Sequence, residues 1–211
     1  MKIFASTFAF ASMAVAAVVE ALPEGMSIRR SLPSNYTLST ITWSLPIVEG
    51  GPNYTFNGTQ VFAQVNQERV RQGLEPLEDP ARNTADIMSS SDDVDLHDRT
   101  YTKDICKVGL DGAGELIRIQ QGITYLRSLS GTCTNGPGPG NCGRISCSWS
   151  SAIYWCNDNP TDFTYPCSGF ADYAQIICND CTFRTGKNNK IVWGQAFDDR
   201  RFNVLVGSDD C

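Results

Sequence analysis

The chain has 211 residues, 17 Lys+Arg against 23 Asp+Glu, a formal net charge of −6, one histidine and nine cysteines. An acidic balance without a basic face argues against nucleic acid or anionic lipid as the main partner. With His97 as its one histidine, the chain cannot build a histidine-based metal site, and Ser-His-Asp or Cys-His catalysis has only that residue to recruit.

Residues 1–21 read as a secretory signal peptide: Met1-Lys2, a long apolar run, and Val19-Glu20-Ala21 with small residues at the cut. The run is short for a spanning helix and is interrupted by Ser6, Thr7 and Ser12, and no other stretch could span a membrane. A secreted, extracellular chain is therefore expected. Residues 22–104 contain no cysteine and read as an acidic leader or linker; between 31 and 100 there are ten acidic residues and four arginines. Arg29-Arg30 is a dibasic pair at which a propeptide could be cut, after Arg30. Three N-x-[ST] triplets place candidate glycans on Asn35, Asn53 and Asn57. One short helix is expected at about 60–72, with Val61, Phe62 and Val65 on one face and Thr59 as N-cap. After it, 74–77 and the SSSDDVDLHD stretch at 89–98 read as loop or disorder.

All nine cysteines lie in residues 105–211, which mark a disulfide-framed domain of modest core. Helices are expected at 115–130, where Leu116, Ile119, Ile123, Leu126 and Leu129 recur at helical steps before Gly131, and at 168–179, with Phe170, Tyr173, Ala174 and Ile177 on one stripe and Ser168 as candidate N-cap. Strands are expected at 144–149 and 152–156, turning at Trp149-Ser-Ser151. A second pair is expected at 190–197 and 202–206, turning at Asp198-Asp-Arg-Arg201. The Pro/Gly-rich segment 134–143 reads as loop. The sum is an α+β fold: an antiparallel sheet with two helices packed on one face, a disulfide-rich sandwich.

Catalytic groups are scarce. Glu115 is the one glutamate of this domain and sits where a helix dipole explains it; Asp158 and Asp162 read as turn chemistry around Pro160 rather than as a carboxylate pair. Cys178-Asn-Asp-Cys181 has redox spacing. It falls, however, at the C-terminal end of its helix, where the dipole disfavours a thiolate, so a structural role is expected. No cofactor and no metal are expected.

The cysteine order resembles that of the killer toxin of smut-fungus viruses, killer protein four, and its fungal secreted relatives. The resemblance rests on Cys167 followed by a helix to Cys178, Cys181 one turn later, Gly194-Gln195 opening the last strand pair, a terminal Cys211, and Cys147 leading into a hairpin with small polar residues at its turn. It covers residues 106–211 only. It implies bridges Cys133–Cys167, Cys142–Cys156 and Cys147–Cys211, with Cys106 joined to Cys178 or Cys181. The family has ten cysteines, so one thiol is left over, which could join two chains in a disulfide dimer. The viral toxin acts on calcium channels through a lysine just before the hairpin cysteine. Here Arg144-Ile145-Ser146 precede Cys147, and Arg144 is the nearest cation.

The expected function is thus a cysteine-rich, killer-toxin-like fungal effector or antimicrobial toxin, acting without catalysis on a cell-surface target such as an ion channel. Its expected contact surface is Arg144, Trp149, Tyr154 and Trp155, although alternation must bury some of them. The competing readings are a small secreted hydrolase with a carboxylate site and a glycosylated cell-wall or structural protein.

Overall fold

A computed structural model describes residues 32–59, 61–80, 100–186 and 189–211. The signal peptide, Arg29-Arg30, His97 and the 89–98 stretch lie outside the described residues. In chain order the first elements are β1 (Thr37–Ser39), β2 (Thr42–Pro46), β3 (Asn53–Asn57), α1 (Val61–Arg71), β4 (Tyr101–Cys106), β5 (Gly114–Glu115) and α2 (Leu116–Arg127). Then come β6 (Thr132–Asn135), β7 (Asn141–Ser148), β8 (Ser151–Asn157), β9 (Phe163–Pro166) and α3 (Gly169–Asp180). The chain closes with β10 (Thr182–Thr185), β11 (Asn189–Val192), β12 (Gly194–Asp198) and β13 (Phe202–Gly207).

The main sheet has the order β1-β7-β8-β13-β12-β4, antiparallel throughout except for the short parallel edge pair β1–β7. The helical stripes read from sequence lie on one face of it. Ile119, Ile123 and Leu126 of α2 and Phe170, Tyr173, Ala174 and Ile177 of α3 pack with Ile153, Trp155, Ala196, Val204 and Val206. The architecture is an α+β, disulfide-rich fold with α2 and α3 on the same side of a mostly antiparallel sheet. Two smaller sheets, β3-β2-β6-β9 and β10-β11-β5, flank it.

The other face of the main sheet is covered too. Leu32 and Leu110 pack there with Ala152, Tyr154, Cys156 and Leu205. As a result β8 is buried at every position, with no solvent-facing alternation.

Residues 32–80 are not a detached leader. Trp43 on β2 is 0 % exposed and shares one core with Ile41, Leu45, Ile47, Phe56, Val61, Val65 and the helices α2 and α3. β2 pairs with β6, and β1 with β7. The boundary expected near residue 104 is therefore corrected, and the reason is physical. Ile41, Trp43 and Leu45 alternate with polar neighbours, a strand signal that finds its partner β6 some ninety residues downstream.

Smaller corrections follow from local geometry. Residues 190–197 form two strands in different sheets, broken at Trp193, whose backbone N–H bonds to Cys181 O (3.3 Å) and whose indole N–H bonds to Leu110 O (2.8 Å). The 134–143 loop gives its ends to β6 and β7. Ser168 precedes α3 in helical conformation and makes no side-chain capping bond. Gly131 after α2 stands at φ 138°, and a Cβ there would strike the Ser44 carbonyl, so the stop residue also lets β2 approach.

Four disulfides join Cys106–Cys181, Cys133–Cys167, Cys142–Cys156 and Cys147–Cys211. They coincide with the pairs the family resemblance implies, with Cys181 the partner of Cys106. Cys178 is a free thiol, 5 % exposed, on the core side of α3. A dimer through this odd cysteine would need the helix to open first.

Candidate ligand-binding site at the hairpin tip

The β7–β8 hairpin turns in two residues, Trp149 and Ser150, at φ 48° and 54°. Positive φ at both central positions matches the right-handed twist of the strands, and this geometry ordinarily selects Asn-Gly. A bulky aromatic in that conformation is an outlier. Trp149 is nevertheless held there with 73 % of its surface in solvent.

Beneath the tip lies a cavity of about 550 Å³ between α1, α2 and the end of β7. Its walls include Phe62 of α1, Gln121 and Tyr125 of α2, Ser146 and Ser148 of β7, and Thr59. The Phe62 and Tyr125 rings meet edge-on with centroids 6.3 Å apart. Gly122 makes the approach possible, because a Cβ there would sit 2.6 Å from the Ser146 hydroxyl. Arg118 places its guanidinium over the Trp149 ring at 4.9 Å, donates to Gln121 Oε1 at 3.2 Å, and lies 3.6 Å from Glu115. Glu115, expected to serve a helix dipole, thus also neutralises Arg118.

The other expected contact residues go elsewhere. Tyr154 and Trp155 are buried on opposite faces of β8: Trp155 stacks on Phe170 at 4.3 Å, and Tyr154 donates its hydroxyl to Asp209 at 2.6 Å. Neither can touch a partner, because the sheet is covered on both sides. Burial first, then the Asp209 carboxylate, pushes the Tyr154 hydroxyl well above the usual phenol range. Arg144 points to the face away from α2. It donates to Asp209 Oδ2 and to Asp210 O, both at 2.8 Å, and pins the C-terminal tail. Only Trp149 of the four stands free in solvent, and Arg118 and Gln121 join it. Their signal in the sequence was the helical step from Glu115 to Arg118 and Gln121, polar positions beside an apolar stripe.

Acidic side chains are mostly engaged in structure. Asp158 accepts from the Gly140 N–H and from Asn203, each at 2.8 Å, and so fastens the Pro/Gly segment. Asp198 accepts from Thr100, Tyr173 and Arg200, and Arg200 packs over Tyr165 and Phe202. Burial opposes its ionisation, but the hydrogen bonds from Arg200 and Tyr173 outweigh that and hold the carboxyl below its ordinary value. Asp180 is raised by burial and then by Asp104 nearby, and neither lines the cavity under Trp149. Among the described residues, Asp104, Cys106 and Cys181 are grouped closely enough to ligate a metal. Their two sulfurs are joined to each other and supply no thiolate.

The three sequon asparagines are exposed: Asn35 before β1, and Asn53 and Asn57 at the two ends of β3, an edge strand. Asn57 Oδ1 accepts from Thr42 Oγ1 at 3.1 Å, which leaves the amide nitrogen out of that bond. No helix among the described residues is long and apolar enough to cross a membrane. No known protein family, curated protein or solved structure matches this chain.

Proposed function

We propose that this is a secreted, disulfide-framed protein of the killer-toxin-like kind, which binds a target on another cell through the Trp149 tip and acts without catalysis. Four disulfides fit an extracellular compartment, where such a framework persists. The observation that carries the reading is Trp149, a large aromatic kept exposed at a turn whose backbone favours Asn or Gly. Arg144, nearest to the lysine of the viral toxin, is tied to Asp209 and Asp210, so target contact is assigned to Trp149 and Arg118 instead. The test is binding of the purified secreted protein to intact microbial and plant cells. Trp149→Ala is expected to lower cell binding at least tenfold while the four disulfides still form. Unchanged binding by a correctly bridged variant would sink the assignment.

A second reading, a small secreted hydrolase, draws on Asp104 and Asp180, two neighbouring carboxylates of which one is raised. It predicts that Asp180→Asn abolishes a hydrolytic activity that Trp149→Ala spares. A glycosylated wall protein would keep the sequon-bearing segment in its mature form. Because residues 32–80 belong to the fold, their retention no longer separates it from the others.

A further inference from the structure

We infer that the cavity under the hairpin tip binds a neutral saccharide. This rests on the reading of Trp149 as the contact residue and names the chemistry it contacts. The cavity, about 550 Å³, is of a size that holds a small ligand. Its one strongly exposed aromatic plane is Trp149, with Arg118 over the ring at 4.9 Å. Around that ring the wall offers neutral donors and acceptors: the Gln121 amide and the hydroxyls of Thr59, Ser146 and Ser148. A sugar ring presents an apolar C–H face to the indole face that Arg118 leaves open, and hydroxyls at its rim, and so matches both kinds of group.

The charges present argue against other ligand classes. Arg118 is already paired with Glu115 at 3.6 Å and bonded to Gln121, and Asp79 lines the same wall, so no net positive field awaits a phosphate or a nucleic acid. A cationic ligand would meet the guanidinium already lying over the ring. A lipid tail would find Phe62, Ala63 and Tyr125 beside the indole, but on the same wall it would also strip water from the Gln121 amide, three hydroxyls, Arg118 and Asp79 without replacing their hydrogen bonds.

A saccharide could reach this site from two sources. Thr59 both lines the cavity and completes the Asn57-Gly-Thr59 sequon, so a glycan on Asn57 would start two residues from the cavity mouth. The other source is a wall or surface glycan of another cell.

The experiment uses the full secreted protein from a glycosylating host. It is titrated with neutral hexasaccharides of the β-glucan, mannan and chitin types, followed by saturation-transfer NMR and tryptophan fluorescence. The same titration is run after enzymatic removal of N-glycans and on Asn57→Gln, Trp149→Ala and Gln121→Ala variants, each checked for its four disulfides by non-reducing peptide mapping. If the untreated protein binds one of the sugars and Trp149→Ala weakens it at least tenfold, the ligand comes from outside. If only the deglycosylated and Asn57→Gln forms bind, the chain's own glycan occupies the cleft. Both results support the site. Absence of binding in every form, or binding indifferent to Trp149 and Gln121, overturns it. Loss of cell binding in Trp149→Ala without any saccharide binding would remove the sugar and leave the cell-contact reading standing. Trp149-dependent sugar binding beside Trp149-independent cell binding would do the reverse.

Discussion

Trp149 and Ser150 occupy the left-handed region side by side, and for residues with a Cβ this costs about 1 kcal/mol or more each. Ser150 contributes its backbone carbonyl to the Asp209 N–H, a bond that glycine would keep. Ser150→Gly is therefore expected to raise stability by up to about 1 kcal/mol, after the greater freedom of glycine in the unfolded chain is deducted. The denaturant midpoint should shift upward; a downward shift would mean that the tip is not strained at this residue. Cys178 works in the other direction. Burial alone pushes its thiol up to about 12, against about 8.5 in an unfolded chain. A group with a raised folded-state value contributes stability below about pH 8.5 and loses it as pH climbs toward 12, with a limiting slope of about 1.4 kcal/mol per pH unit. Relative to Cys178→Ala, the native protein should lose stability between these limits, and its thiol should resist a thiol reagent at pH 8 until the chain is unfolded. Rapid labelling of the native protein would contradict its placement in the core.

At the scale of elements, the question is what β2 contributes. Trp43 is buried between the β2–β6 pairing and the helices, and its indole N–H bonds to Gly58 O at 2.6 Å. Trp43→Ala should cost about 3–5 kcal/mol. Residues 105–211 expressed alone should fail to give a cooperative melt, because Ile41, Trp43, Leu45, Ile47, Phe56, Val61 and Val65 would leave holes in the shared core. A sharp transition from that fragment would restore the boundary read from the cysteines. That boundary misled because cysteine position reports where bridges are, not where the core ends. The helices were legible: Ile119, Ile123 and Leu126 announce their buried face by their spacing, and the Trp149 turn follows from the small polar residues after it. Strands β1 to β3 were not, since their partners lie far along the chain and alternation over three to five residues is a weak signal beside sequons and prolines. The contact set was half legible for a related reason. Alternation along β8 predicts one open face, and only the tertiary cover of Leu32 and Leu110 closes it over Tyr154. The polar helical step marks Arg118 and Gln121 as a solvent-facing edge of α2, but that this edge faces the hairpin tip depends on the close helix–strand approach at Gly122, which local spacing does not show.

Across the whole molecule the bridges divide by what they close. Cys142–Cys156 spans 14 residues and joins directly opposed positions of the β7–β8 hairpin. Cys147–Cys211 spans 64 and ties the chain's last residue to the strand that ends at the candidate site. In the chain-entropy model the first restricts the unfolded state by about 3 kcal/mol and the second by about 4 kcal/mol. Replacing each pair by serines should lower stability in that order, with the 147/211 variant the weaker protein. The tail is also held by Asp209, which takes Arg144 and Tyr154 at 2.8 and 2.6 Å, and this latch survives in the 147/211 variant. Its loss of stability should therefore appear in the global melt while the tail stays ordered, with the Asp209 amide still protected from hydrogen exchange. Arg144→Ala added to that variant should then release the tail. If the tail is already free in the serine variant alone, the disulfide rather than the carboxylate latch holds the C-terminus against the sheet.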